Sequence, residues 1–174
     1  REISILAANE VLAAINTLRS HGITVHVFDD FTQDTPDSVF PNNWFTTHED
    51  GSIGVFPMYC ENRRKEKNPK IIELLSKEYW VNKVVDYSVL EQQELFLEGT
   101  GSMVLDHVNR YAYAVISNRM NEQVLTQFCK DFDYQPVPFH ATDEDNVAVY
   151  HTNVLMSMAT NFVIIGIDCI KDLT

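Results

Sequence analysis

A polar residue returns every 55 positions in this chain, as Asn43, Glu98 and Asn153, each time inside a similar apolar stretch. The stretches are residues 38–45 running on to 51–58, residues 95–102 running on to 116, and residues 149–155 running on to 167. Each reads as a hairpin of two strands. A fixed period of this length marks a repeat architecture, because one such unit cannot bury its apolar face alone and must stack on its neighbours. Repeats of this kind gather side chains around a common axis. The gathered set here is Asn43, Glu98 and His151, a combination suited to acid and base chemistry on a small polar substrate.

The segments between the hairpins repeat as well. Residues 9–20 carry Val11, Leu12, Ile15 and Leu18 at helical spacing and stop at His21-Gly22, where glycine takes the left-handed cap. A strand is predicted over residues 23–28. In the second unit Asn68 and Pro69 start a helix with Ile71, Ile72, Leu74 and Leu75 as its buried stripe, and a strand is predicted over residues 83–86. In the third, Asn121 caps a helix with Val124, Leu125, Phe128, Cys129 and Phe132 on one face. The following strand, residues 135–139, contains Pro136 and Pro138, which confine it to an edge or a short stretch. One unit is therefore helix, strand and hairpin, with boundaries near 7–58, 66–117 and 121–174.

With 174 residues, 45% hydrophobic and 22% charged, the chain is long enough for one domain with a sizeable core. Its net charge of −12 argues against nucleic acid or an anionic membrane surface as partner, since neither gains counterion-release affinity from an acidic protein. The only basic cluster, Arg63-Arg64-Lys65 with Lys67, reads as a solvated approach to a helix. No apolar run reaches the roughly 20 residues of a membrane span. Cys60, Cys129 and Cys169 have no metal-ligand spacing, which predicts neither a disulfide framework nor a zinc site, and a cytoplasmic setting.

Individual residues admit two readings each. Glu98 follows apolar Leu95-Phe96-Leu97 and precedes Gly99-Thr100-Gly101, so it is either a site carboxylate at a close-approach turn or a solvated turn residue. His151 falls in what reads as a buried strand, as a satisfied structural histidine or a catalyst. Asn42-Asn43, between Phe40 and Trp44-Phe45, would be costly to bury unless it binds something. Cys129 reads as core packing on its helix face, not as a nucleophile.

Four ordered segments carry a family resemblance: Pro36-Asp37-Ser38-Val39-Phe40-Pro41-Asn42-Asn43, Phe96-Leu97-Glu98-Gly99-Thr100-Gly101-Ser102, Ser117-Asn118-Arg119 and Tyr150-His151-Thr152-Asn153. They resemble the successive motifs of the guanidine-modifying superfamily of arginine deiminases, dimethylarginine hydrolases and amidinotransferases, closest to its amidinotransferase-like, citrulline-utilising branch. The resemblance implies an α/β pentein propeller of five αβββ units around a pseudo-fivefold axis, about three of them present in a single partial domain over 1–174. It implies His151 as general acid/base and Glu98 as the carboxylate beside it. Asp37, Asn42 and Asn43 fall where relatives hold substrate, Arg119 where they meet its α-carboxylate, and Asn153 is expected on the same strand face as His151.

Two departures shape the expectations. Relatives that bind a cationic guanidinium place a carboxylate where Asn42 and Asn43 stand, so neutral amides favour a neutral ureido group such as that of citrulline. No segment resembles the family's C-terminal cysteine region either. We therefore expect the chain to belong to a longer enzyme whose nucleophile lies elsewhere, and a polypeptide ending at Thr174 to be inactive. The expected activity is hydrolysis of a ureido or guanidino C–N bond through a covalent cysteine intermediate, without metal or organic cofactor. The alternatives are amidino transfer to an amine and a catalytically inactive binding module. The partner is a small citrulline- or arginine-like molecule, and a homo-oligomer is left open.

Overall fold

A computed structural model describes residues 2–30, 32, 34–40 and 42–171. The chain opens with α1 (Glu2–Ser20), closed at its end by bonds from Gly22 N–H to Arg19 O (3.0 Å) and Ile23 N–H to Leu18 O (3.2 Å). Gly22 has φ +80°, the left-handed value that this cap requires. Among the described side chains of α1 only Ile15 is buried, and Leu6, Val11, Leu12 and Leu18 face solvent.

A hairpin of β1 (Phe45–Thr47) and β2 (Ser52–Val55) comes next, with Phe45 opposite Val55, then α2 (Glu61–Arg64), α3 (Pro69–Glu78) and β3 (Lys83–Asp86). A 3₁₀ turn, Ser88–Gln93, leads to α4 (Gly99–Ser102) and a second hairpin, β4 (Val104–Asp106) with β5 (Tyr111–Val115). Then come α5 (Glu122–Phe132), β6 (Gln135–Phe139), α6 (Thr152–Leu155) and a third hairpin, β7 (Met156–Met158) with β8 (Val163–Ile165).

Each strand that follows a helix joins the hairpin of the unit before it. Thus β3 runs parallel to β2, with Ile53 opposite Val84, and β6 runs parallel to β5, with Tyr113 opposite Val137. The strand predicted over residues 23–28 does not form among the described residues, where those positions show no strand pairing. The proline-bearing β6 lies at the edge of its sheet, where missing N–H donors cost nothing.

The hairpins also begin later than the sequence pattern suggests. Residues 95–102 and 149–155 are turns and four-residue helices that feed the hairpins rather than strands of them. The core explains why the helices form where their stripes predict. On α5, Val124, Leu125, Phe128, Cys129 and Phe132 are all buried, packed with Phe56, Leu97, Met103, Ala112 and Ala114. Asn121 caps this helix by accepting from the Gln123 and Val124 N–H groups (2.9 and 3.3 Å). On α3, capped by Asn68, the stripe is only half-buried, with Ile71, Ile72 and Leu75 against Trp44, Ile53, Val55 and Met58.

Candidate functional site

Glu98 ends the buried Phe96-Leu97 segment, and its own carbonyl accepts the Gly101 and Ser102 N–H groups (2.9 Å each) that wind α4. Its backbone N–H is held by Ser102 Oγ (3.1 Å). The side chain is therefore aimed inward, fully buried. Its Oε1 accepts the Tyr59 N–H (2.9 Å), and its Oε2 lies 2.6 Å from His151 Nε2 and 3.2 Å from Arg119 Nη1. Burial pushes the carboxyl up, but His151, the Tyr59 N–H and Arg119 outweigh it and hold it below its ordinary value. An ionised carboxylate only accepts, so His151 Nε2 carries the hydrogen of their bond.

His151 stands before α6 in extended backbone (φ −136°, ψ 141°). The next residue fixes where its ring goes. Thr152 Oγ1 donates to Ser102 O (2.6 Å) and accepts the Val115 N–H (2.8 Å), all of it buried, which ties α6 against α4. Asn43 reaches the same place from the first unit. Its φ of +79° is a left-handed value that asparagine tolerates better than most residues. Its N–H is 3.3 Å from Thr100 Oγ1, which in turn donates to Asn43 Oδ1 (3.4 Å). The three meet over Gly101: a Cβ there would lie 2.8 Å from both Asn43 Oδ1 and His151 Cε1. Only glycine allows this approach.

Arg119 completes the group. Its backbone carbonyl accepts from Ser102 Oγ (2.7 Å), and its guanidinium lies over the rings of Tyr150 and Tyr59 (5.3 and 5.8 Å) on its way to Glu98. The other expected site residues are placed differently. Half-buried Asp37 accepts from Asn62 Nδ2 (2.8 Å), and exposed Asn42 offers its carbonyl to Arg63 Nη2 (3.4 Å). Both thus bond to α2 instead of to the Glu98–His151 pair. Asn153 is exposed on α6, and the shared strand face with His151 does not exist because Thr152 starts a helix there.

The basic cluster is a correction. Only Lys65 is solvated, pairing with Asp34 at 3.4 Å. Arg63 binds Glu66 (2.7 Å) and Phe40 O, Lys67 pairs with Glu91, and Arg64 donates to Met58 O (2.8 Å) and Tyr59 O (2.9 Å) while lying over Phe96. Arg64 thereby fixes the peptide whose N–H points at Glu98. Sequence reasoning gave no role to Arg64, Tyr59, Thr100, Ser102 or Thr152, although Thr100, Ser102 and Thr152 lie inside its motif segments and Arg64 inside its basic cluster.

Two cavities of about 690 and 300 Å³ lie away from this cluster, one beside Trp44, Ile72 and Asp86, the other beside His48, Leu75 and Trp80. Neither is lined by Glu98 or His151. The three cysteines are free, and burial pushes the Cys129 thiol up to about 12, far from a thiolate. Among the described residues no cluster of histidine, cysteine and carboxylate side chains could hold a metal, and no helix is long and apolar enough to cross a membrane.

The family model for N,N dimethylarginine dimethylhydrolase, eukaryotic, matches residues 1–174. No curated protein sequence matches the chain. Among solved structures, the N-terminal domain of ArgZ, a cyanobacterial arginine dihydrolase bound to substrate, superposes with a TM-score of 0.71 at 17% identity, over 98% of this chain and 58% of that one. A variant of AgrE with L-arginine gives 0.72 at 19%, over 95% and 23%. A dimethylarginine dimethylaminohydrolase adduct with 4-chloro-2-hydroxymethylpyridine gives 0.64 at 16%, over 90% and 58%. The mixed α/β fold is thus that of pentein structures, and the chain spans under three fifths of the length of the ArgZ domain.

Proposed function

The chain belongs to the eukaryotic N,N dimethylarginine dimethylhydrolase family, within the guanidine-modifying superfamily, and from that premise we propose that it supplies the acid/base and substrate-holding half of a C–N hydrolase. The substrate is a guanidino or ureido amino acid of arginine or citrulline type. One observation carries the reading: a fully buried, ionised Glu98 bonded to His151 at 2.6 Å, with the neutral amide of Asn43 facing the same ring across Gly101. A buried charge of this kind is costly to maintain without a use.

With Nε2–H held by Glu98, Nδ1 is the His151 atom left to take up and return a proton. In the complete protein a cysteine outside residues 1–174 gives its thiol proton to His151 Nδ1, and the thiolate so formed adds to the central carbon of the substrate. The tetrahedral adduct collapses with loss of an amine, which takes that proton from His151. A water then adds to the resulting thioester-like or thiouronium carbon, passing a proton to the same histidine, and the sulfur leaves and recovers that proton as thiol. Asn43 presents both a donor and an acceptor, which suits a ureido oxygen and its neighbouring N–H groups. Asp37, Asn42, Arg119 and Asn153 are the further substrate contacts in this reading, with Arg119 on the α-carboxylate. The repeats belong to a five-unit propeller, and the free cysteines suit a cytoplasmic setting.

The test is product analysis of the full-length protein with L-arginine and L-citrulline, with and without an acceptor amine. Release of ammonia with citrulline from L-arginine, or with ornithine and carbon dioxide from L-citrulline, independent of the amine supports hydrolysis. Amine-dependent transfer, or no turnover of either compound, contradicts it.

A further inference from the structure

Every hydrogen-bonding position on Glu98 is taken. Oε1 holds the Tyr59 N–H, Oε2 holds His151 Nε2, and Arg119 Nη1 lies 3.5 and 3.2 Å from the two oxygens. The carboxylate itself has no exposure, whereas the side chain of Arg119 is 26% exposed. The Tyr59 peptide is pinned by Arg64, and His151 is pinned through Thr152. Arg119 is the partner that can move, since Tyr59 and Tyr150 offer its guanidinium ring faces along the way rather than a second carboxylate.

A substrate guanidinium and the Arg119 guanidinium therefore compete for one carboxylate. Two cations cannot share it without repulsion, and Glu98 cannot stay buried without a cation or hydrogen-bond partner. We propose that Arg119 is a latch that makes recognition of the substrate's α-carboxylate the condition for access to Glu98. With Arg119 on Glu98 the carboxylate is covered; a ligand bearing an α-carboxylate draws Arg119 away, and the freed Glu98 then accepts the N–H groups of the ligand's other end. A ligand with the same guanidinium but no carboxylate must open the latch unaided. Its apparent affinity is reduced by the fraction of molecules in which the latch is open. Arg119 thus sets a specificity that discriminates twice, once by its contact and once by its occupancy of Glu98.

The inference rests on the substrate class proposed above, and calorimetric binding to the protein separates the two. The probes are L-arginine, L-citrulline and agmatine, which is arginine without its carboxylate; the variants are Arg119→Ala and Arg119→Gln, with thermal unfolding as a check on folding. The latch predicts that both variants lose L-arginine affinity by tenfold or more, roughly the scale of one charge-assisted contact, and gain agmatine affinity by about tenfold. Loss of L-arginine with agmatine unchanged overturns the latch and leaves Arg119 a simple carboxylate contact. Loss of both ligands in both variants makes it a structural residue and likewise overturns it. If wild type binds neither L-arginine nor L-citrulline, the substrate class fails and the latch with it.

Discussion

Glu98 and His151 occupy the same place in two successive units, each immediately before a four-residue helix that feeds a hairpin, and their side chains meet at 2.6 Å. The repeat puts two different residues at one equivalent position and turns them toward each other. Their separation is 53 residues, so the structural period pairs Glu98 with His151 and not with Asn153.

The joint between α4 and α6 depends on one hydroxyl. Thr152→Val keeps the volume but leaves the Val115 N–H and the Ser102 carbonyl unpaired in the core. We expect a loss of about 1–3 kcal/mol in urea unfolding, with Thr152→Ser recovering most of it. A Val variant as stable as wild type would mean that the two helices are held by packing alone.

Gly101 is the point where Asn43 and His151 approach one backbone. Gly101→Ala places a methyl 2.8 Å from each, so the side chains or α4 must shift. The expected cost is roughly 1–3 kcal/mol of stability, together with loss of ligand binding. Unchanged binding of L-citrulline and L-arginine would show that ligand does not touch this surface.

Acid stability follows from the Glu98 carboxylate and the donors around it. Its carboxyl is held below its ordinary 4.5 in the folded protein, so its contribution is complete above that value and is lost as pH falls through the lower folded value. Wild type should exceed Glu98→Gln by about 3–5 kcal/mol at neutral pH, and the gap should narrow only on acidification below about 4.5. A gap independent of pH would mean that Glu98 is not ionised in the folded state.

Substrate charge can be read at Asn43. If its neutral amide favours a ureido group, Asn43→Asp in the full-length protein shifts the ratio of kcat/KM for arginine over citrulline upward by roughly 1–3 kcal/mol. A wild-type enzyme that already prefers arginine would refute the amide argument.

Much of this architecture was legible because it is local. The caps at Asn68 and Asn121, the stripe on α5, and β3 and β6 all depend on short-range periodicity and capping chemistry. What was not legible depended on distant partners. Residues 23–28 have strand composition but pair with no strand among the described residues, and the His151 segment became helix through bonds from Thr152 to Ser102 and Val115. Arg64 looked solvated because its acceptors are backbone carbonyls, which sequence does not show. Glu98 and His151 were visible as candidates; that Arg119 covers Glu98 was not.

The most direct test of the site is ¹⁵N NMR of the His151 imidazole during titration with L-arginine and L-citrulline. The account predicts that Nε2 is protonated in the free protein, that the Nδ1 resonance moves saturably with at least one ligand, and that Glu98→Gln abolishes this response. An Nδ1–H tautomer in the free protein, or a ring that ignores both ligands while they bind elsewhere, would contradict it.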